Sequence, residues 1–97
     1  MCQLDRLYSL KSQINEIAQK HNADKVYVFG SCARKMETPQ SDIDFLADFN
    51  DKASLFDQVG LQLDLMDLLK CNVDVIPITA LNDPKFGPSV KKDMILL

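Results

Sequence analysis

The sequence predicts an α/β chain of the α+β kind, with elements in the order α-β-α-β-α-β and a small mixed β-sheet flanked by helices. Three observations carry this. Apolar residues recur at three- and four-residue spacing over two long stretches, near 4–18 and 55–66. Between and after them lie short apolar runs, Val26 to Phe29, Phe45 to Phe49 and Asn72 to Ile76, each ended by turn or breaker residues. The length, 97 residues, suits one domain (1–97), near the size at which a single core holds without disulfides or metal.

In chain order, Leu4, Leu7, Leu10, Ile14, Ile17 and Ala18 share one helical face and predict a first helix over residues 3 to 21. Asn22 is a candidate left-handed cap. His21, the only histidine, reads as a cation at a helix C-terminus rather than a catalytic group. The first strand, Lys25 to Phe29, is apolar on both faces, as a central strand with helical cover must be. Gly30 ends it, and residues 31–37 have room for one or two helical turns before Thr38-Pro39. Ile43 to Phe49 forms the second strand.

Ser54 then caps a helix over 53–70, with Leu55, Phe56, Val59, Leu63 and Met66 on one face, expected to be buried internally, and Gly60 a mild weakness. Asn72 to Ile76 makes a third strand, stopped by Pro77. Beyond it, Leu81 to Pro84 reads as a helix start, Phe86 to Lys92 as a short helix broken at Gly87-Pro88, and Met94 to Leu97 as an apolar end.

Composition excludes several roles. The net charge is −3 and no Lys/Arg block exceeds Lys91-Lys92, so the clustered basic surface that direct nucleic-acid binding requires is missing. Asp5 and Arg6 interrupt the N-terminal apolar residues, and no run approaches the length of a membrane span, which predicts a cytoplasmic protein. Cys2, Cys32 and Cys71 are odd in number and without a CxxC, so they read as reduced thiols.

The chemistry-bearing stretch is Val26 to Phe49. A strand feeds the Gly30-Ser31 turn and a helix N-terminus, where free N–H groups attract phosphate. Ten residues on, Asp42 and Asp44 stand two apart on a strand and therefore point to one face. Paired carboxylates repel unless a cation sits between them, and hard oxygen donors suit Mg2+, with Mn2+ an alternative. Asp74, in the middle of an otherwise apolar strand, is costly unless it faces such a site. A glycine-serine turn with three carboxylates implies phosphoryl or nucleotidyl transfer, in which two metal ions about 3.5 to 4 Å apart serve the attacking hydroxyl and the leaving group.

Gly30-Ser31, ten residues, Asp42-Ile43-Asp44 and the later Asp74 together resemble the signature of the polymerase-beta-like nucleotidyltransferase superfamily. The short chain is similar to its minimal nucleotidyltransferase (MNT) branch, and the likeness covers nearly the whole length. Family members often have glycine after Ala-Arg, where this sequence has Lys35 after Ala33-Arg34. The resemblance implies the nucleotidyltransferase fold, Asp42, Asp44 and Asp74 as catalytic and metal-binding residues, and Gly30 and Ser31 as nucleotide-binding. Arg34 and Lys35 are the nearest cations and the expected phosphate partners.

The resemblance further implies ATP as substrate, two Mg2+ ions, and the antitoxin role of MNT proteins that transfer AMP to a tyrosine of a helical HEPN toxin. An oligomer or hetero-complex is the corresponding expectation, because larger transferases hold the acceptor on an added helical domain. Two other readings stand beside it: an MNT-fold antitoxin that acts by binding alone, and an adenylyltransferase of a small molecule such as an aminoglycoside.

Overall fold

The computed structural model describes residues 3–30 and 42–97. The elements are α1 (Gln3–Ser9), α2 (Lys11–Lys20), β1 (Ala23–Phe29), β2 (Ile43–Phe49), α3 (Leu55–Leu69), β3 (Val73–Pro77), a 3-10 turn (Ile78–Asn82), α4 (Phe86–Asp93) and β4 (Ile95–Leu96). The strands form one mixed sheet in the order β3-β2-β1-β4. β1 runs antiparallel to β2 and to β4, whereas β2 and β3 are parallel.

Strand alternation divides the apolar residues between two layers. Val26 and Val28 of β1, Ile43, Phe45 and Ala47 of β2, and Val73 and Val75 of β3 meet the buried sides of α1, α2 and α3 in the larger core. On the opposite face, Phe29 and Leu46 pack against Val90 of α4, with Tyr27, Ile76 and Phe86 at the margin. That second layer is small.

The predicted first helix is two helices. Leu10 leaves helical geometry at φ −103°, ψ 11°. The Ser9 hydroxyl donates to the Arg6 carbonyl at 2.7 Å, and the Leu10 N–H is shared between the Arg6 and Leu7 carbonyls, a tightened turn that ends α1. The Arg6 guanidinium donates to the Leu69 carbonyl, satisfying an acceptor at the C-terminus of α3.

α3 follows the predicted span but not the predicted orientation. Its buried residues are Leu61, Leu65 and Leu69, at four-residue spacing. Leu55 (75% exposed), Phe56 (88%), Val59 and Leu63, expected inside, face out. The helix is apolar on both sides, and the sheet selects one of them. Ser54 begins it in a capping box, its N–H donating to the Asp57 carboxylate at 2.9 Å.

α2 ends at His21, followed by Asn22 at φ 62°, the left-handed cap the sequence suggested. His21 is a cross-link as well as a helix terminus: its Nε2 lies 2.7 Å from Asp64 Oδ2 of α3. Gly60 makes room for the imidazole, since a Cβ there would stand 2.6 Å from His21 Cε1.

Gly87-Pro88 does not break α4, because both lie in its first turn, where an N–H is not needed within the helix. The expected helix start at 81–84 is instead the end of the 3-10 turn and an Asp83 cap, whose Oδ1 accepts from the N–H groups of Lys85 and Phe86. The apolar end of the sequence supplies β4, a fourth strand whose two residues are too few to read from pattern.

Candidate active site

The site lies on the α4 side of the sheet, where the small apolar layer stops. On β2, Asp44 shares this face with Leu46, and on β3 Asp74 shares it with Ile76, while the alternate residues of both strands are in the larger core. The parallel register sets Asp44 beside Asp74, and the antiparallel register sets Asp44 opposite Phe29, the last residue of β1. Asp74, Asp44 and Phe29 therefore form a row across three adjacent strands. Asp42 precedes β2 and is exposed; the next N–H, that of Ile43, is tied to the Asn72 carbonyl.

Gly30 follows Phe29 where β1 ends and lies against Asp44. Its φ of +76° lies in the left-handed region, where a side chain is strained. A Cβ there would also stand 2.8 Å from Asp44 Oδ2. The Gly30 backbone and the Asp44 carboxylate are thus in close approach.

Electrostatics agree with a cation-dependent site. Burial pushes the Asp44 carboxyl above the ordinary carboxylate range, and the negative charges of Asp74 and then Asp42 push it further. Among the described residues no three carboxylate, histidine or cysteine side chains are placed to hold a metal ion together. The three aspartates are neighbours carrying like charge, with Gly30 against one of them. Their carboxylates are hard oxygen donors, the type that a divalent cation of the magnesium class takes.

The structure brings together four of the expected site residues: Asp42, Asp44, Asp74 and Gly30. Ser31, Arg34 and Lys35, together with the short helix expected after the turn, lie outside the described residues. His21 is on the opposite side of the sheet with α2 and α3. Cys71 is half-buried, and burial pushes its thiol above the usual range.

Sequence reasoning missed one component. Beside Gly30 opens a cleft of about 280 Å³, floored by Phe29, Phe86 and Val90. The Phe29 and Phe86 rings meet edge to face at 5.8 Å. Lys85, Ser89 and Asp93 line its α4 side. Their four-residue spacing is a legible helical stripe, hidden only by the expectation that Gly87-Pro88 interrupts the helix.

A glycine against Asp44, with Asp74 beside it on the neighbouring strand, is an arrangement in keeping with nucleotidyl transfer, and comparison with known proteins establishes the class. A family model described as polymerase beta, nucleotidyltransferase matches residues 12–97. A Methanocaldococcus jannaschii protein, named as a candidate protein adenylyltransferase, is 33% identical over 88 residues, covering 91% of this chain and 90% of its own length. A solved candidate minimal nucleotidyltransferase has TM-score 0.84 at 32% identity, covering 97% of this chain and 95% of that one. A toxin-antitoxin crystal structure with AMP-PNP has TM-score 0.71 at 19% identity, covering 89% and 70%, a likeness of fold. The chain belongs to the polymerase beta nucleotidyltransferase family and is a nucleotidyltransferase. No helix among the described residues is long and apolar enough to cross a membrane.

Proposed function

We propose that this protein transfers AMP from ATP to a tyrosine hydroxyl of a helical HEPN-type toxin, acting as the antitoxin of the pair in the cytoplasm. The observation that carries the reading is the row of Asp74, Asp44 and the β1 terminus, with Gly30 close against Asp44. It is supported by relatives named as candidate protein adenylyltransferases and by the fold shared with a toxin-antitoxin structure containing AMP-PNP.

Asp42, Asp44 and Asp74 would hold two Mg2+ ions. Bound there, these ions offset the triphosphate charge and lower the pKa of the attacking hydroxyl. The residues of the chain do the rest. The Gly30 turn leaves its backbone accessible to phosphate oxygens, with Ser31, Arg34 and Lys35 as further nucleotide contacts. Asp74, at the β3 end of the row, accepts the hydroxyl proton. The tyrosine oxygen bonds to the α-phosphorus as the bond from that phosphorus to the β-bridging oxygen breaks, and pyrophosphate leaves with the electron pair.

A protein acceptor is favoured by α3, whose outward stripe of Leu55, Phe56, Val59 and Leu63 is unlike a solvated helix face. Incubation with labelled ATP, Mg2+ and the product of the neighbouring gene tests the reading. AMP should appear on tyrosine by mass spectrometry and vanish with EDTA or Asp42→Asn. Tight binding without modification would replace the enzyme by a binding antitoxin, and labelling of an aminoglycoside instead would overturn the protein acceptor.

A further inference from the structure

We propose that the α4 cleft receives the departing pyrophosphate, with the Lys85 ammonium and the Ser89 hydroxyl as leaving-group contacts. The assignment rests on the transfer reading above and concerns one direction within that site. Displacement at phosphorus is in line, so the leaving group departs on the side away from the acceptor. With the hydroxyl over Asp74 and the α-phosphate over Asp44, the row ends at Phe29, which together with Gly30, the next residue of the chain, lines the cleft.

The chemistry of its α4 wall fits a polyanion at one end. Lys85 and Ser89 are one turn apart and face the same space. Asp93 is two turns beyond Lys85, about 12 Å along the axis, and the Asp83 carboxylate near Lys85 is engaged by backbone N–H groups, so the Lys85 ammonium is the cation this wall offers an anion. The α4 N-terminus itself is not the anion site, since the N–H groups of Lys85, Phe86 and Gly87 are already donated to Asp83. Side chains must therefore carry the recognition. At about 280 Å³ the cleft suits a group of pyrophosphate size rather than a whole nucleotide triphosphate.

Titration calorimetry of the full chain with Mg2+-ATP, Mg2+-pyrophosphate and AMP tests this. Lys85→Ala should weaken pyrophosphate and ATP about tenfold, the loss of one charge-assisted contact, while AMP affinity and the melting temperature stay unchanged. Lys85→Arg should restore most of the loss, and Ser89→Ala should weaken pyrophosphate about threefold. Unchanged pyrophosphate affinity in Lys85→Ala, with the wild type binding Mg2+-ATP normally, overturns the cleft assignment alone. Equal weakening of AMP and ATP also overturns it, because the cleft then holds the nucleoside. A wild type that binds no Mg2+-ATP overturns the transfer reading and this assignment with it.

Discussion

Gly30 and Asp44 are in contact only because residue 30 has no side chain, since a Cβ there would lie 2.8 Å from Asp44 Oδ2. Gly30→Ala combines that clash with a left-handed backbone at φ +76°, which costs an L-residue about 1–2 kcal/mol. The variant should melt several degrees lower, at about 4–8 °C per kcal/mol for a domain of this size. It should also lose Mg2+-ATP affinity in calorimetry. Wild-type melting together with wild-type affinity would show that the turn does not meet the nucleotide.

Asp44→Asn removes one of three clustered like charges. The metal-free protein should be as stable as wild type or slightly more stable, because burial and the charges of Asp74 and Asp42 already disfavour the ionised form. Mg2+-dependent ATP turnover should disappear. Asp74→Asn should instead lose transfer while keeping much of the Mg2+-ATP affinity, since in the proposed mechanism it serves the hydroxyl rather than the nucleotide. Melting curves and calorimetry on both variants check the division, and equal loss of ATP binding in the two contradicts it.

On α3, Phe56→Ser and Leu63→Gln should change stability by no more than about 0.5 kcal/mol, as surface substitutions do. Leu65→Ala, which empties a fully buried site, should cost about 2–5 kcal/mol. Denaturant titration separates the two groups. Pull-down of the proposed toxin partner should fail with Phe56→Ser if the outward stripe is its docking face.

Gly60→Ala tests a conflict between helix propensity and packing. Propensity favours alanine by about 0.8–1 kcal/mol. Here, however, the added Cβ stands 2.6 Å from a His21 ring held by Asp64 at 2.7 Å. Gly60→Ala should not stabilise the wild type, yet it should stabilise a His21→Ala background by roughly the propensity difference. Thermal denaturation of the four proteins in this cycle measures the coupling.

The same contact predicts an acid response. The His21 hydrogen bond, followed by the Lys20 charge, holds the Asp64 carboxyl below its ordinary value of 3.8, and the Ser54 N–H and the Asn22 side chain do the same for Asp57. A depressed carboxylate contributes stability that is complete above the unfolded value and is lost as pH falls through the folded one. Stability should therefore decline below about pH 4, and Asp64→Asn should flatten that decline. Denaturation series between pH 2 and 7 decide it.

Local pattern was enough for the α+β alternation and the second strand at its observed limits, with Asp44 on it, because strand alternation is a property of neighbouring residues; Asp42, expected on the same strand, instead precedes it. Asp74 was legible as an aspartate in an apolar strand. What pattern could not supply was its place beside Asp44, since parallel register is a contact between residues 30 apart in sequence. Nor could it decide which side of α3 is buried, because a helix apolar on both faces gives the same periodicity either way and only the sheet chooses Leu61, Leu65 and Leu69. The break at Leu10 turned on a hydroxyl preferring a backbone carbonyl, and the unbroken α4 on where in the helix Pro88 falls. In each case competing local options were close in energy, and tertiary contacts separated them.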